Sequence, residues 1–321
     1  MAPPPKAPVL VIGRQGQVAS ALQRLAPALL SQRPVVMAGR PELDLAAPGF
    51  GDQLAVLLQE VQPALVINAA AYTAVDRAES EPELAKAVNG HAVGVMARAC
   101  AEHGIPLFHL STDYVFNGSG ERPWAVGDAP APLGVYGASK LLGEQLLQEA
   151  AQEQGLRALV LRVSWVFGQQ GGNFVRTMLR LAAERDALTV VADQVGGPTS
   201  AESIARALLQ LAESAMANWH PVRGAAAPFP WGTYHFQGQP VVSWHGFAGE
   251  IMRQAASLQL LEKASVVCAI STAEFPTPAR RPANSRLDCT SAEVELGLEL
   301  PAWREDLREF LLAAAKPPVH A

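Results

Sequence analysis

Cysteine is scarce in this sequence: Cys100, Cys268 and Cys289 are three in 321 residues, odd in number and widely spaced. That excludes a disulfide framework and a thiolate metal centre, and reads as buried free thiols in a reducing compartment, the cytoplasm. No uninterrupted apolar run reaches the roughly 18 residues a membrane-spanning helix needs. The first residues, Met1 to Lys6, lack the apolar core of a signal peptide and read as a short lead-in. Charge is modest at 17% of residues with a formal net of −5, and no basic cluster stands out, which argues against nucleic acid as a partner. The seven histidines contain no His-x-x-x-His pair and are read as structural or surface residues. Repeats and low-complexity segments are also absent. What remains is an ordinary globular composition, 49% hydrophobic, and a length that suggests about two domains.

The chain opens on Val9-Leu10-Val11-Ile12, a short apolar run of the kind a buried parallel strand needs. Gly13-Arg14-Gln15-Gly16-Gln17-Val18-Ala19 follows, then an amphipathic run through Leu22, Leu25 and Leu29. Strand, glycine turn and helix is the dinucleotide-binding order, in which a pyrophosphate rests on the helix N-terminus. A second run, Val35 to Ala38, ends in Gly39-Arg40 with no acidic residue at the strand end. An acid there would accept from a ribose 2′-hydroxyl, whereas an arginine suits a 2′-phosphate, so Arg40 reads as a preference for NADPH over NADH or as a solvated loop residue.

A helical pattern from Leu54 to Val61 leads to the strand Ala64 to Ile67, with Asn68-Ala69-Ala70-Ala71-Tyr72 at its end. Thr73 to Glu79 leads into a long helix carrying Asn89, either a buried structural hydrogen bonder or a residue of the site. The strand Leu107 to Leu110 delivers Ser111-Thr112-Asp113-Tyr114 to the same sheet edge. Tyr136 and Lys140, four positions apart, open a helix and share one of its faces. A phenol is a poor acid at neutral pH, and an ammonium one turn away lowers its pKa towards a useful range. Leu159 to Leu161 is the next strand, and Trp165 beyond it lines a pocket wall.

This alternation specifies an α/β fold, a Rossmann-type doubly wound parallel sheet with a smaller C-terminal α+β substrate-binding domain. The expected division is 1–168 with about 201–242 for the dinucleotide domain, and 169–200 with 243–321 for the substrate domain. In the latter, a helix runs from about Gly171 to Arg185, a strand covers Leu188 to Val191, and Asp193 to Thr199 forms a glycine-rich turn. Residues 218–232 read as a surface loop, Tyr234 to Phe236 as the last main-sheet strand, Ser243 as the cap of a helix through Ile251, Val266-Val267 as a short strand, and 316–321 as a frayed tail.

Seven motifs in order carry a resemblance: Gly13-x-x-Gly16-Gln17-Val18, Asn68 to Asp76, Ser111 to Phe116, Tyr136-Gly137-x-Ser139-Lys140, Ser164-Trp165-Val166, Asp193-Gln194-x-Gly196-x-Pro198-Thr199, and Arg281-Pro282-x-Asn284-Ser285. Together, over Val9 to about Trp303, they resemble the extended short-chain dehydrogenase/reductase superfamily and, within it, the dTDP-4-dehydrorhamnose reductase family. The resemblance implies a catalytic set of Thr112, Tyr136 and Lys140, with Thr112 orienting the substrate ketone and Tyr136 protonating its oxygen. It places Gly13, Gly16, Gln17, Val18, Arg40, Asp44, Leu45, Ala69, Ala70 and Ala71, with Tyr136 and Lys140, at NADPH (or NADH), and Asp113, Trp165 and Arg281 at a dTDP-sugar, Arg281 at its diphosphate. Some relatives are magnesium-linked dimers. Glu202 sits in a matching context, but Ala21 stands where an acid is expected, which puts Mg2+ in doubt and leaves a homodimer open. Two other readings stay open: another extended-family sugar-nucleotide epimerase or dehydratase, and a non-catalytic NADP-binding regulatory subunit.

Overall fold

The structure, a computed structural model, describes residues 7–30, 33–217, 228–261 and 263–315. The lead-in, most of the 218–232 loop and the C-terminal tail lie outside the described residues.

Chain order runs β1 (Val9–Ile12), α1 (Gln17–Leu29), β2 (Val35–Ala38), α2 (Phe50–Val61), β3 (Leu65–Asn68), α3 (Val75–Ala78), α4 (Pro82–Lys86), α5 (Ala92–Glu102), β4 (Leu107–Thr112), α6 (Val135–Gln154) and β5 (Ala158–Val163). Next come β6 (Val166–Phe167), α7 (Phe174–Glu184), β7 (Ala187–Val191), β8 (Val195–Gly196), β9 (Thr199–Ser200), α8 (Ala201–Ala217) and β10 (Gly232–Phe236). The last elements are β11 (Val242–Ser243), α9 (Trp244–Ser257), β12 (Val266–Ile270), β13 (Asn284–Ser285), α10 (Thr290–Leu296) and α11 (Trp303–Ala314).

Six strands form one parallel sheet in the order β10-β5-β4-β3-β1-β2. The four inner strands are buried on both sides because alternate residues feed opposite cores. In β1, Val9 and Val11 pack with Leu22 of α1 and Ile204 and Leu208 of α8, while Leu10 and Ile12 pack with Leu54 of α2 and Val93 and Met96 of α5. Burying each such side chain contributes about 1.5–3 kcal/mol. The strand order reverses between β1 and β3, and ligands bind at the carboxyl ends of strands at such a point.

The smaller region has its own apolar core, in which Phe167, Phe247, Ile251, Trp303 and Phe310 are buried together. Ser243 caps α9 as expected by accepting from the Gly246 amide, although that helix runs on to Ser257. The long helix expected around Asn89 runs from α4 through a π-helical turn at Ala87–His91 into α5. Two readings need correction. Residues 193–199 are more than a turn, since Val195 and Gly196 pair with both β11 and β13. Cys100 and Cys289 are buried, but Cys268 is exposed, because among the described residues β12 pairs only with β7.

Two glycines let α6 press its backbone on its neighbours. A Cβ on Gly137 would sit 2.1 Å from the Tyr114 carbonyl oxygen, and one on Gly143 would sit 2.2 Å from that of Asn89. Gly137→Ala should therefore push the start of α6 outward, costing about 1–3 kcal/mol by overpacking and lowering turnover far more than it lowers cofactor affinity. Chemical denaturation and steady-state kinetics on the same preparation check both parts.

Candidate active site

At the reversal point Gly13 takes φ +126°, a conformation side chains rarely adopt, and a Cβ there would lie 3.2 Å from the Ala69 carbonyl carbon. Its amide donates to the Ala38 oxygen, and the Ala69 amide donates to the Ile12 oxygen, so β1, β2 and β3 end together around the turn. Gly16 begins α1 with no side-chain cap, leaving the amides of the first helical turn without that partner. Bare amides over a side-chain-free cradle fit the phosphates of a dinucleotide.

The other proposed cofactor residues divide by position. Val18 is core, and Gln17 Oε1 accepts from Asn173 Nδ2 at 3.1 Å. Ala69 and Ala70 are half-buried and Ala71 is exposed. A hollow of about 620 Å³ beside the ends of β1 and β2 is lined by Arg14, Gly39, Glu42, Leu43, Gln53 and Leu57. Arg40, Asp44 and Leu45 are not among its lining residues: Arg40 is exposed, Leu45 is buried, and Asp44 Oδ1 accepts the Ala46 amide at 3.0 Å. Arg14, which the sequence pattern gave no reason to single out, instead ion-pairs with Glu42 across the rim of the hollow.

β4 and α6 bring the expected catalytic set together. Thr112 Oγ1 donates to Asp113 Oδ1 at 3.0 Å and accepts the Tyr114 amide at 3.2 Å. Burial pushes the Tyr136 phenol up to about 12, while its hydrogen bond with Thr112 pulls the other way. Lys140 is 2% exposed, and its Nζ meets the Leu110 oxygen at 2.6 Å and His109 Nε2 at 3.2 Å. Burial lowers it to about 8, opposed by the Glu144 charge. Burial is the largest influence on the tyrosine in this arrangement, and Lys140 is engaged by β4. Asp113 is buried and pushed up to about 6 by desolvation, against the pull of Ser285 and Thr112.

Asn89 proves to be a structural clamp. Its Oδ1 accepts the Tyr72 amide at 2.8 Å, and its Nδ2 donates to the Tyr72 oxygen at 2.9 Å and to Ser139 Oγ at 3.0 Å. Beneath the site, Glu144 accepts from Arg162 Nη2 at 2.6 Å and from Ser111 Oγ, with both charged groups buried. His109 and this pair escaped the sequence reading. The signals were there in a histidine within a buried strand and a glutamate at the Lys140 + 4 position.

Trp165 takes φ +48° and stacks on Trp244 with ring centroids 3.6 Å apart, lying against Gly196. Arg281 donates to Asp76 Oδ2 at 2.8 Å and to the Ala279 oxygen at 3.3 Å. Glu202 ion-pairs with Arg24 at 2.6 Å, and no group of three His, Cys, Asp or Glu side chains that could hold a metal ion lies among the described residues. No helix among them is long and apolar enough to cross a membrane.

A glycine turn at the point of strand reversal, with threonine, tyrosine and lysine on the adjoining strand and helix, is the arrangement of an extended short-chain dehydrogenase/reductase. The family model described as RmlD substrate binding domain matches residues 7–315. The chain is 44% identical to a dTDP-4-dehydrorhamnose reductase of Burkholderia thailandensis, covering 92% of this chain and 95% of that one. It is 37% identical to the enzyme of that name from Escherichia coli K12, covering 94% and 96%. Its fold matches the Bacillus anthracis dTDP-4-dehydrorhamnose reductase solved in complex with NADP, at TM-score 0.83 and 32% identity over 96% of this chain and 99% of that one. A Thermus thermophilus UDP-glucose 4-epimerase, at 20% identity and TM-score 0.72 over 94% and 97%, shares the fold. The chain belongs to the dTDP-4-dehydrorhamnose reductase family.

Proposed function

We propose that this chain reduces the C4 ketone of dTDP-4-dehydro-β-L-rhamnose to the alcohol of dTDP-L-rhamnose, in the cytoplasm. The observation that carries the reading is the convergence of Thr112 at the end of β4 with Tyr136 and Lys140 at the start of α6, where Gly137 seats the helix on the Tyr114 carbonyl. NADPH, when bound, supplies a hydride to C4. Tyr136 gives its phenolic proton to the forming alkoxide, so that ketone, hydride and proton become an alcohol. Thr112 holds the carbonyl oxygen in line with the phenol. Lys140 stabilises the phenolate that results and holds the nicotinamide ribose. The buried Asp113 carboxylate receives a sugar hydroxyl, Trp165 forms a wall, and Arg281 turns from Asp76 to the diphosphate. The division into 1–168 with 201–242, and 169–200 with 243–321, puts the two ligands on separate regions that meet at Thr112 and Tyr136. A homodimer is compatible with this scheme and unnecessary to it.

The test is to supply dTDP-4-dehydro-L-rhamnose and follow NADPH oxidation, with UDP- and GDP-linked keto-sugars as controls. Oxidation with the dTDP-sugar alone is expected. None with any sugar would leave a binding subunit, and oxidation with another nucleotide sugar would change the substrate. Arg40 is proposed to meet the 2′-phosphate, so Arg40→Ala should raise the KM for NADPH roughly tenfold and leave that for NADH unchanged. Equal Michaelis constants for the two cofactors in the wild type would remove that role.

A further inference from the structure

The helix that carries Tyr136 has no cap of its own. Gly134 stands at the N-cap of α6 in extended geometry, φ −146° and ψ 176°, with no side chain to offer, and no acidic residue lies in the first turn. The first amides of a helix have no partner inside it and take one from elsewhere. Here one comes from 56 residues upstream: Glu79, the residue that ends α3, accepts the Val135 amide through Oε1 at 2.9 Å. A carboxylate suits that end of a helix, where the peptide dipoles leave a partial positive charge. Gly134 leaves room for it, since a Cβ there would lie 2.5 Å from the same Oε1.

Tyr136 is the second residue of α6, inside the turn that Glu79 fastens. Its C-terminal side is held by the interior: its carbonyl accepts Ser139 Oγ at 2.8 Å, Asn89 Nδ2 donates to that Oγ at 3.0 Å, and Gly137 sits on the Tyr114 carbonyl. Glu79 holds the other side. We infer that Glu79 is a positioning residue for Tyr136, a helix cap supplied from across the fold that acts through the Val135 amide. The turn that supplies it is itself fastened. Ala78 is fully buried, Tyr72 Oη donates to Glu81 Oε2 at 2.6 Å, and Arg77 pairs with Glu81 at 2.5 Å. Three residues before Glu79, Asp76 accepts from the Ala279 amide at 3.2 Å and from Arg281 at 2.8 Å. One short turn thus holds the start of α6 with one carboxylate and the Arg281 segment with another. The separation of the proton donor from the proposed diphosphate contact is measured from α3. The consequence for turnover rests on the role proposed above for Tyr136; the fastening of the helix does not.

Glu79 is exposed, so replacing it leaves the core intact, and two measurements on the full chain test the inference. The Ala138 amide closes the first turn on the Gly134 oxygen at 3.1 Å. In Glu79→Ala its hydrogen exchange, followed by NMR, should be about fivefold faster, with the amides from Gly143 onward unchanged. In the NADPH assay kcat should fall by about three- to tenfold, because proton transfer tolerates little displacement of the donor. KM for the dTDP-sugar and affinity for NADPH should stay near wild type, since Lys140, one turn on, is still held by the Leu110 oxygen. Glu79→Gln keeps the acceptor and should preserve both readings. Glu79→Ala combined with Gly134→Ser moves the cap into the helix, where serine is favoured and the carboxylate no longer opposes a side chain, and should recover both. Unchanged exchange at Ala138 in Glu79→Ala overturns the inference, as does a loss that neither the glutamine nor the serine cap recovers. Faster exchange with unchanged turnover would leave Glu79 as the cap and count against Tyr136 as the proton donor.

Discussion

Tyr136→Phe should lower turnover by about 10²–10⁴-fold while leaving NADPH affinity unchanged. The ring remains, so its edge-on contact with Tyr114, at 5.5 Å between centroids, is kept. What is lost is one O–H, the proton source for the alkoxide and the partner of Thr112. Phenylalanine cannot supply either, and water reaching the half-buried position is a weak and poorly placed substitute. The expected signature is a fall in kcat with little change in KM, the pattern of an interaction made in the transition state. Binding of NADPH, followed by its fluorescence, checks the second half. Near-normal turnover in this variant would end the assignment of Tyr136 as proton donor.

The largest loss of stability should come from beneath the site. Arg162 and Glu144 are 6% and 8% exposed at the side chain and 2.6 Å apart. Glu144→Leu leaves a buried guanidinium with no counter-charge and removes the acceptor of Ser111, which should cost about 3–5 kcal/mol. A double variant, Glu144→Leu with Arg162→Met, should recover much of that, since replacing a buried ion pair by apolar groups of similar volume is often neutral. Urea unfolding of the two single variants, the double variant and the wild type closes the cycle. A double variant no more stable than the worse single one would mean that the pair is not the source of the loss. Glu144 also opposes the burial effect on Lys140, so the two variants that carry Glu144→Leu should lower the lysine's titration further.

The sheet was legible because parallel strands buried on both faces leave apolar runs that end in glycine or polar residues. β1, β2, β4 and β10 fall where those runs predict. The grouping of Thr112, Tyr136 and Lys140 was legible for a different reason: a Tyr-x-x-x-Lys spacing fixes a helical face, and a threonine at a strand end has one direction to point. The interior partners were not. His109 looks in sequence like any residue of a buried strand, and only the register of β3 against β4 shows that its ring lies beside Asn68. The π-helical turn at Asn89 is invisible to a periodicity argument, which continues a helix through it. Cys268 was misjudged because burial of β12 depends on how many partners that strand finds. Arg281 sits against Asp76, 205 residues away in sequence, a distance at which no local pattern has information.

The two glycine contacts of α6 bear on how such an enzyme could change its substrate. With bare backbone seated against the carbonyls of Tyr114 and Asn89, the helix has one permitted height and one permitted rotation, and neither can drift by small steps. If Trp165 walls the sugar site as proposed, acceptance of a different sugar must then arise among the side chains around Trp165, Trp244 and Ser285, whose loops and short strands can be exchanged without moving Tyr136. Variation in specificity is thereby confined to one wall of the cleft, and libraries aimed at new nucleotide sugars should draw their productive changes from that wall.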